Sequence, residues 1–589
     1  MKLHTIPQAC AIACLATLAL SSTGLAQQAP DAGRLQEQTR PSPALPAPAR
    51  PVLATPAAAP AELPADTTPV AIKAFVFDGN RAIPSEQLAE LLKDQISPAT
   101  PFGQLRAALS RIDAAYAERG FFLARAVIPR QDLSGGASGA GAGILRIQIL
   151  EGQLGSLQGA LSAEQLALAQ RIIAAQGLQA GQALALGDLE RSLLLISERI
   201  GNGGAAALAP GAAVGSTDVI IQAPAAQNKW SAQASFDNAG NHFSGKERLL
   251  LDAAVRDLGS LGDVLSVRTQ VATGLRFVSL AYSLPLGHQG WQLDLNASAM
   301  RYALCCTFAA LKSEGDSRSW GAGLRYPLVL RSDSSLLADI SYAHKSSEDR
   351  ALKTVNADKT TQPISLGLSF THAAALKGNL LQSGRLNFIS GQLAQKINPN
   401  PNNPKRYNKW RADYTALLQS SPRQQWLFKA AAQAAGTNLD SSEKFSLGGA
   451  SGVRGWPAGE ASGDSGALLT AEWRYQLNSA QRSNDRGLGS NSSSNAANAM
   501  LWTLSLFADS GQITQQKNVT ATSLPAGAPI RYSLSSAGVG LAMRSTGGWN
   551  ISAQWAKGLG KNPSASAAGL NSDGLKRSSQ FWVNAGVAF

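Results

Sequence analysis

From residue 229 to the end of the chain, helix-period patterns are scarce and short segments of strict alternation take their place. Trp291, Leu293, Leu295, Ala297 and Ala299 alternate with Gln292, Asp294, Asn296 and Ser298. Leu469, Ala471, Trp473, Tyr475 and Leu477 alternate with Thr470, Glu472, Arg474 and Gln476, and Trp549, Ile551, Ala553 and Trp555 with Asn550, Ser552 and Gln554. Successive side chains of a strand point to opposite faces, so each segment has one apolar and one wet face. A soluble sandwich shows the same alternation. The number of such segments, their separation by Gly/Asn/Ser-rich stretches and the last of them (Phe581, Val583, Ala585, Val587 and the terminal Phe589) favour a closed antiparallel barrel over residues 227–589. At about 10 residues per strand the span holds roughly 14 to 18 strands, an even number if both ends lie on one side.

Residues 70–226 have a different texture. Ile72, Ala74 and Val76 predict a strand that stops at the Gly79-Asn80 turn signal. Ser85 is the expected cap of a short helix carrying Leu88, Leu91 and Leu92. Thr100 is the expected N-cap of a second, with Pro101 at its first position, Leu105, Leu109, Ile112 and Tyr116 on its apolar face and Gly120 at its end. Strands over 121–128 and 144–151 follow, divided by the Gly-rich run 135–141, which completes a β-α-α-β-β module at 70–152. The unit recurs at 153–226. Ser162 and Gln165 form a capping box, Leu189, Leu193, Ile196 and Ile200 repeat the earlier spacing 84 residues on, and a strand with Val219 and Ile221 closes the copy before Pro224. Upstream, residues 27–69 comprise a short polar stretch with helical propensity at 31–38 and a Pro/Ala-rich linker at 41–69, which cannot pack a core.

The first residues change the picture. Met1-Lys2, an apolar run from Ala9 to Leu20 and a small-residue site at Gly24-Leu25-Ala26 predict a cleavable secretory signal over 1–26, with the mature chain starting near Gln27. No later apolar stretch is long enough for a spanning helix, so any membrane crossing is made by strands. The 56 glycines and 15% charged residues among 589 point the same way, away from a soluble enzyme. Cys10 and Cys14 leave with the signal, and Cys305-Cys306 reads as an incidental pair in or near a loop. The net charge of +13 comes without a basic run interleaved with aromatics, which argues against nucleic acid and suits an anionic membrane surface or an acidic client. Gly463-Asp464-Ser465-Gly466 is superficially like a protease nucleophile motif, but none of His242, His288, His344 and His372 sits in a recognisable triad context. No enzyme, cofactor or metal site is expected.

Val453-Arg454-Gly455-Trp456, preceded by Phe445-Ser446-Leu447-Gly448-Gly449 and followed by Ser462-Gly463-Asp464, resembles the VRG(Y/F) loop of the two-partner secretion outer-membrane transporters of the ShlB/FhaC/HecB type. Phe507-Ala508-Asp509-Ser510-Gly511 resembles the F-x-(D/E)-x-G strand motif of the same superfamily. The two modules are similar to its POTRA domains, and Phe589 to its barrel-assembly signal. Trp456 departs from the usual Tyr or Phe, and the Gly-rich run lengthens a loop of the first module. The resemblance implies a sixteen-stranded barrel in the outer membrane of a Gram-negative bacterium, with two periplasmic modules and an N-terminal plug helix, near residues 31–38, that occupies the pore at rest. It also implies a monomer that translocates a secreted, unfolded adhesin- or haemolysin-like exoprotein, contacts outer-membrane lipid and lipopolysaccharide, and meets the barrel-assembly machinery through its last strand. A barrel-assembly factor of the same superfamily is the alternative.

Thr503, Ser505, Phe507, Asp509 and Gly511 form the more polar row opposite Trp502, Leu504, Leu506 and Ala508, so Asp509 is expected to face the lumen. The resemblance then implies that the loop carrying Arg454 folds back to meet it. Guanidinium suits a carboxylate because its planar fork binds both oxygens and stays charged. In a wet lumen such a pair is worth on the order of 1 kcal/mol.

Overall fold

The computed structural model describes residues 29–39, 53–54, 67–131, 143–201, 205–222, 228–376, 378–478, 500–520, 524, 528–566 and 568–589. The expected signal at 1–26, most of the linker at 41–69 and the Gly-rich run at 135–141 lie outside the described residues.

Sixteen antiparallel strands, from Trp230–Asp237 to Ser579–Ala588, close into one barrel, each paired with its neighbour in sequence and the last with the first. The alternation explains the closure. Outward positions such as Leu295, Trp410, Leu469, Trp555 and Phe581 are exposed, whereas Tyr302, Asn387, Ser505, Asp509 and Trp582 turn inward and are buried. A sheet whose outside is apolar over a membrane's thickness and whose edges are both satisfied has no unpaired backbone to place in lipid. Among the described residues no helix is long and apolar enough to cross a membrane.

The first module packs the helices Ser85–Leu91 and Phe102–Glu118 on a sheet in which Ile144–Leu150 is flanked by Ala74–Asp78, parallel, and Arg125–Val127, antiparallel. Leu105, Leu109, Ile112 and Tyr116 form its core with Leu145, Ile147 and Ile149. Tyr116 donates to Glu151 (3.0 Å), whose same oxygen also accepts the Arg81 and Ala82 amides; burial, and then this carboxylate, push the phenol well above its ordinary range. Four local expectations need correction. Thr100 caps nothing: with Pro101 it forms a short strand against Pro69–Val70, its hydroxyl donates to the Gln95 carbonyl, and the helix starts at Phe102. Ser85 is the first helical residue behind an N-cap at Pro84. The first strand buries Phe77 and half-buries Phe75, while Ala74 and Val76 face solvent, because the parallel partner sets which face meets the helices. The strand expected over 121–128 shrinks to Arg125–Val127, since Phe121 and Ala124 are taken up in turns against the second helix.

The second module repeats the order with helices Ala163–Ala175 and Leu186–Ile200. Both bonds of the Ser162/Gln165 capping box are present. Ser162→Ala should cost about 1 kcal/mol and speed amide exchange in the first turn of Ala163–Ala175 more than in Leu186–Ile200. Its sheet runs Ala206–Pro210, Ser216–Ile221, Gln153–Gly159, and the outer edge of Ala206–Pro210 is already occupied: linker residues Leu53–Ala54 pair with Ala206 and Ala207 in parallel. The module sits on one rim of the barrel. Glu190 accepts the Ser332 amide (2.9 Å), Arg191 donates to the Gln289 carbonyl (3.2 Å) and stacks over Tyr326, and Arg199 donates to the Gly287 carbonyl (3.3 Å). At the opposite rim Cys305 and Cys306 are joined as a vicinal disulfide, so the pair taken as incidental closes a local ring in the loop before the turn Cys306–Leu311.

Candidate functional site

Between the strands Gln424–Ala435 and Ser465–Gln476 a long loop enters the barrel from the rim opposite the modules. It is stiffened by a small hairpin, Phe445–Leu447 against Ala461–Gly463. Gly448 and Gly449 both hold φ of +89°, a conformation that costs a residue with Cβ, and turn the chain toward the tip. Phe445, Leu447, Val453, Trp456 and Ala461 bury against Ile513, Tyr532 and Leu534 of the wall. This apolar seal sets the electrostatics of what lies beneath it.

Arg454 reaches Asp509 with a two-point contact, Nε to Oδ2 at 3.0 Å and Nη2 to Oδ1 at 2.9 Å, and its backbone amide adds a third bond to Oδ2 at 3.1 Å. Nη1 donates to Glu472 Oε2 at 2.8 Å, and the other oxygen of Glu472 takes Arg474 Nε at 2.8 Å. The guanidinium lies 3.3 Å from the centre of the Phe507 ring. Thr470 and Ser536 hydroxyls complete the shell of Asp509. Two arginines and two carboxylates thus neutralise one another, and the sequence supplied both wall carboxylates on adjacent strands, since Thr470 pairs with Asp509 and Glu472 with Phe507.

The expected wet lumen does not hold at this point. Arg454, Asp509 and Glu472 are 5%, 2% and 5% exposed, because the hairpin and its apolar side chains cover them. A desolvated pair of this kind is weak as a net stabiliser but severe to break, about 3–5 kcal/mol when one partner is removed.

The neighbours of Arg454 are fitted as closely. A Cβ on Gly455 would stand 2.5 Å from the Gly558 amide nitrogen, and one on Gly511 would stand 2.6 Å from Leu447. Trp456 lays its ring on Gly558 and donates its indole N–H to the Ser535 carbonyl (3.1 Å), a bond that Tyr or Phe at this position does not make in the same way. The Arg454 carbonyl accepts the Trp582 indole N–H (2.8 Å), which ties the loop tip to the last strand. Phe589 is at the module-side rim, where its amide donates to the Ala232 carbonyl of the first strand.

A second constellation also lies inside the barrel. The helix Ala32–Gln38, capped by Asp31, is surrounded by barrel residues. Ala32 and Leu35 pack on Phe243, Phe277, Met300 and Tyr302. The Ala32 amide donates to Asp349 (2.9 Å), Asp31 pairs with Lys359 (3.1 Å), and Glu37 pairs with Arg411 (2.8 Å). The same loop that bears Arg454 also grips this helix: Ser441 hydrogen-bonds Asp31, Arg34 donates to the Gly459 carbonyl (2.5 Å), and Ser442 is so close to Gly33 that a Cβ there would stand 2.6 Å from it. Glu443, held between Lys345 (2.8 Å) and Lys409 (2.9 Å), anchors the base of the loop to the wall. Sequence reasoning missed Glu472, Arg474, Trp582 and the Ser441–Glu443 turn. Glu472 and Arg474 stood in a wet row already recognised, but only the strand register makes them neighbours of Asp509.

The rival hydrolase reading finds Asp464 and Ser465 in structural use, the carboxylate accepting the Leu439 and Lys517 amides and the hydroxyl that of Ala435.

Comparison with known proteins agrees with this architecture. Residues 215–543 match the family model of the haemolysin secretion/activation protein ShlB/FhaC/HecB, and residues 70–152 that of the ShlB-type POTRA domain. The heme/hemopexin transporter protein HuxB of Haemophilus influenzae (strain 86-028NP) is 25% identical over 500 residues, 82% of each chain. The outer membrane transporter CdiB of Escherichia coli O6:K15:H31 is 25% identical over 426 residues, 69% of each. Among solved structures, CdiB from Escherichia coli superposes with a TM-score of 0.67 at 20% identity over the whole of both chains, and CdiB from Acinetobacter baumannii with 0.61 at 18% identity over 94% of this chain and 96% of that one.

Proposed function

Because the chain belongs to the haemolysin secretion/activation (ShlB/FhaC/HecB) family of two-partner secretion pores, outer-membrane barrels with POTRA domains in the periplasm, we propose that it exports one unfolded exoprotein through its lumen and that Arg454 locks the resting pore. It works as a conduit without a catalytic step. The observation that carries the reading is that one loop holds both obstacles: its tip is pinned by Asp509 and Glu472, and its base holds the helix Ala32–Gln38. A pore for small solutes has no use for that coupling.

Client capture rests on the modules. An extended segment adds to a sheet edge through main-chain hydrogen bonds, which suits an unfolded chain. The edge of Ala206–Pro210 accepts a strand already, from the protein's own linker, so an arriving client strand competes with Leu53–Ala54. Folding of the client outside the cell biases its direction. The lipids around the barrel and the assembly machinery that inserts it belong to the same reading, as does its action as a monomer.

The test co-expresses the chain with a candidate exoprotein, sought first among any large secreted proteins encoded beside it, and measures that protein in the medium. Removing residues 71–224 should abolish secretion while the barrel remains heat-modifiable. Undiminished secretion without the modules would sink the reading.

A further inference from the structure

Three adjacent strands, Leu275–Leu286, Trp291–Ala303 and Glu314–Leu330, share an arrangement on the outer wall. Outward positions 278 to 286 on the first, 299 back to 291 on the second and 320 to 328 on the third are apolar or aromatic without exception. On each strand the next outward residue toward the rim opposite the modules is an exposed arginine: Arg276, Arg301 and Arg318. Ten residues at about 3.3 Å each, tilted by about 40°, rise about 25 Å, which is the height of the apolar band of an outer-membrane barrel. The arginines therefore stand where hydrocarbon ends and outer-leaflet headgroups begin.

Their mutual placement is unfavourable without a ligand. Arg276 and Arg301 are directly opposite each other in the strand register, and Arg318 lies on the diagonal, opposite Ala299. Like charges so placed repel, and low dielectric on the membrane side sharpens the repulsion. Asp316, opposite Arg301, offsets only part of the repulsion, because its carboxylate is paired with Arg350 at 3.3 Å, and among the described residues none of the three guanidinium groups has an ion-pair or hydrogen-bond partner.

Resting on the outer-membrane reading above, we propose that Arg276, Arg301 and Arg318 form a binding site for a phosphorylated glycolipid of the outer leaflet. Its phosphates bridge the three guanidinium groups and its acyl chains lie along the apolar strip beginning at Val278, Ala299 and Trp320. Planar guanidinium groups bind phosphate oxygens at two points, so three of them on adjacent strands suit a headgroup with two phosphates on a disaccharide better than the single phosphate of a glycerophospholipid.

The experiment uses the full chain folded in non-ionic detergent and native mass spectrometry with diphosphoryl lipid A, monophosphoryl lipid A or phosphatidylglycerol added. Retention should fall in that order. The triple variant R276Q/R301Q/R318Q should lose affinity for diphosphoryl lipid A by at least about tenfold, the equivalent of one order in Kd, while K396Q, which removes a surface charge elsewhere, should bind as the wild type does. Equal binding by the triple variant, or phosphatidylglycerol retained as tightly as diphosphoryl lipid A, overturns the site. Heat-modifiability is recorded on every sample. Should the triple variant lose it, R276Q/R301Q decides by the same criteria, whereas its loss in the wild type would count against the barrel itself and not against the site.

Discussion

Arg454→Ala should leave a correctly inserted, heat-modifiable barrel that no longer exports its client. The substitution strands the buried carboxylate of Asp509 under an apolar cover, leaves Glu472 with Arg474 as its one remaining cation pair, and removes the group that lies on Phe507. Breaking a desolvated pair costs about 3–5 kcal/mol, and at about 1.4 kcal/mol per tenfold the seated loop loses at least two orders of magnitude in population. The barrel's own ladder of hydrogen bonds is untouched, so the damage is confined to the loop. Amide exchange across Phe445–Leu447 and Ala461–Gly463 measures the release, and client in the medium measures the consequence. Arg454→Lys keeps the charge but not the fork and should recover only part of the protection. Full secretion by Arg454→Ala would remove the role assigned to the lock.

The second large effect is expected at Gly33. A leucine there drives its Cβ into Ser442, whose Cα is 3.0 Å from the same point, so the obstruction includes backbone and cannot be relieved by turning a side chain. Overpacking of this kind costs about 1–3 kcal/mol, which moves the ratio of seated to released helix by about five- to a hundredfold. Gly33→Leu in planar bilayers should show a larger and longer-lived conductance than the wild type, and cells carrying it should admit large antibiotics. Ser442→Gly in the same chain should restore part of the closure, because it removes the closer of the two contacts. An unchanged conductance in the single variant would show that the helix does not obstruct the pore.

The barrel could be read from the chain because alternation is a local property that survives in every strand, and the pairing of Arg454 with Asp509 because both lie in recognisable motifs. What could not be read depends on register or on distance along the chain. Thr100 has the chemistry of a helix cap, yet a two-residue strand with Pro69–Val70 claims it, and nothing near Thr100 announces that partner. Glu472 sits in a polar row like any other until pairing places it against Phe507. The desolvation of the site comes from a hairpin whose two arms are each three residues long, below the reach of periodicity. The contacts of Ala32, Arg34 and Glu37 join positions more than 300 residues apart, where no pattern in a single sequence connects them.

The short pairing of Leu53–Ala54 with Ala206–Ala207 also fixes a length. Fifteen residue steps separate Gln38 from Leu53, a leash of about 50 Å when fully drawn out. A helix that leaves the channel while that pairing holds stays within a molecule's breadth of the mouth it came from, ready to reseat when traffic ends. Once an incoming strand takes the place of Leu53–Ala54, the next fixed point is Pro69–Val70, and the leash doubles to about 100 Å. If the helix obstructs the pore as proposed, the occupant of that edge sets how far the stopper can drift, and so how quickly the gate recloses after each passenger.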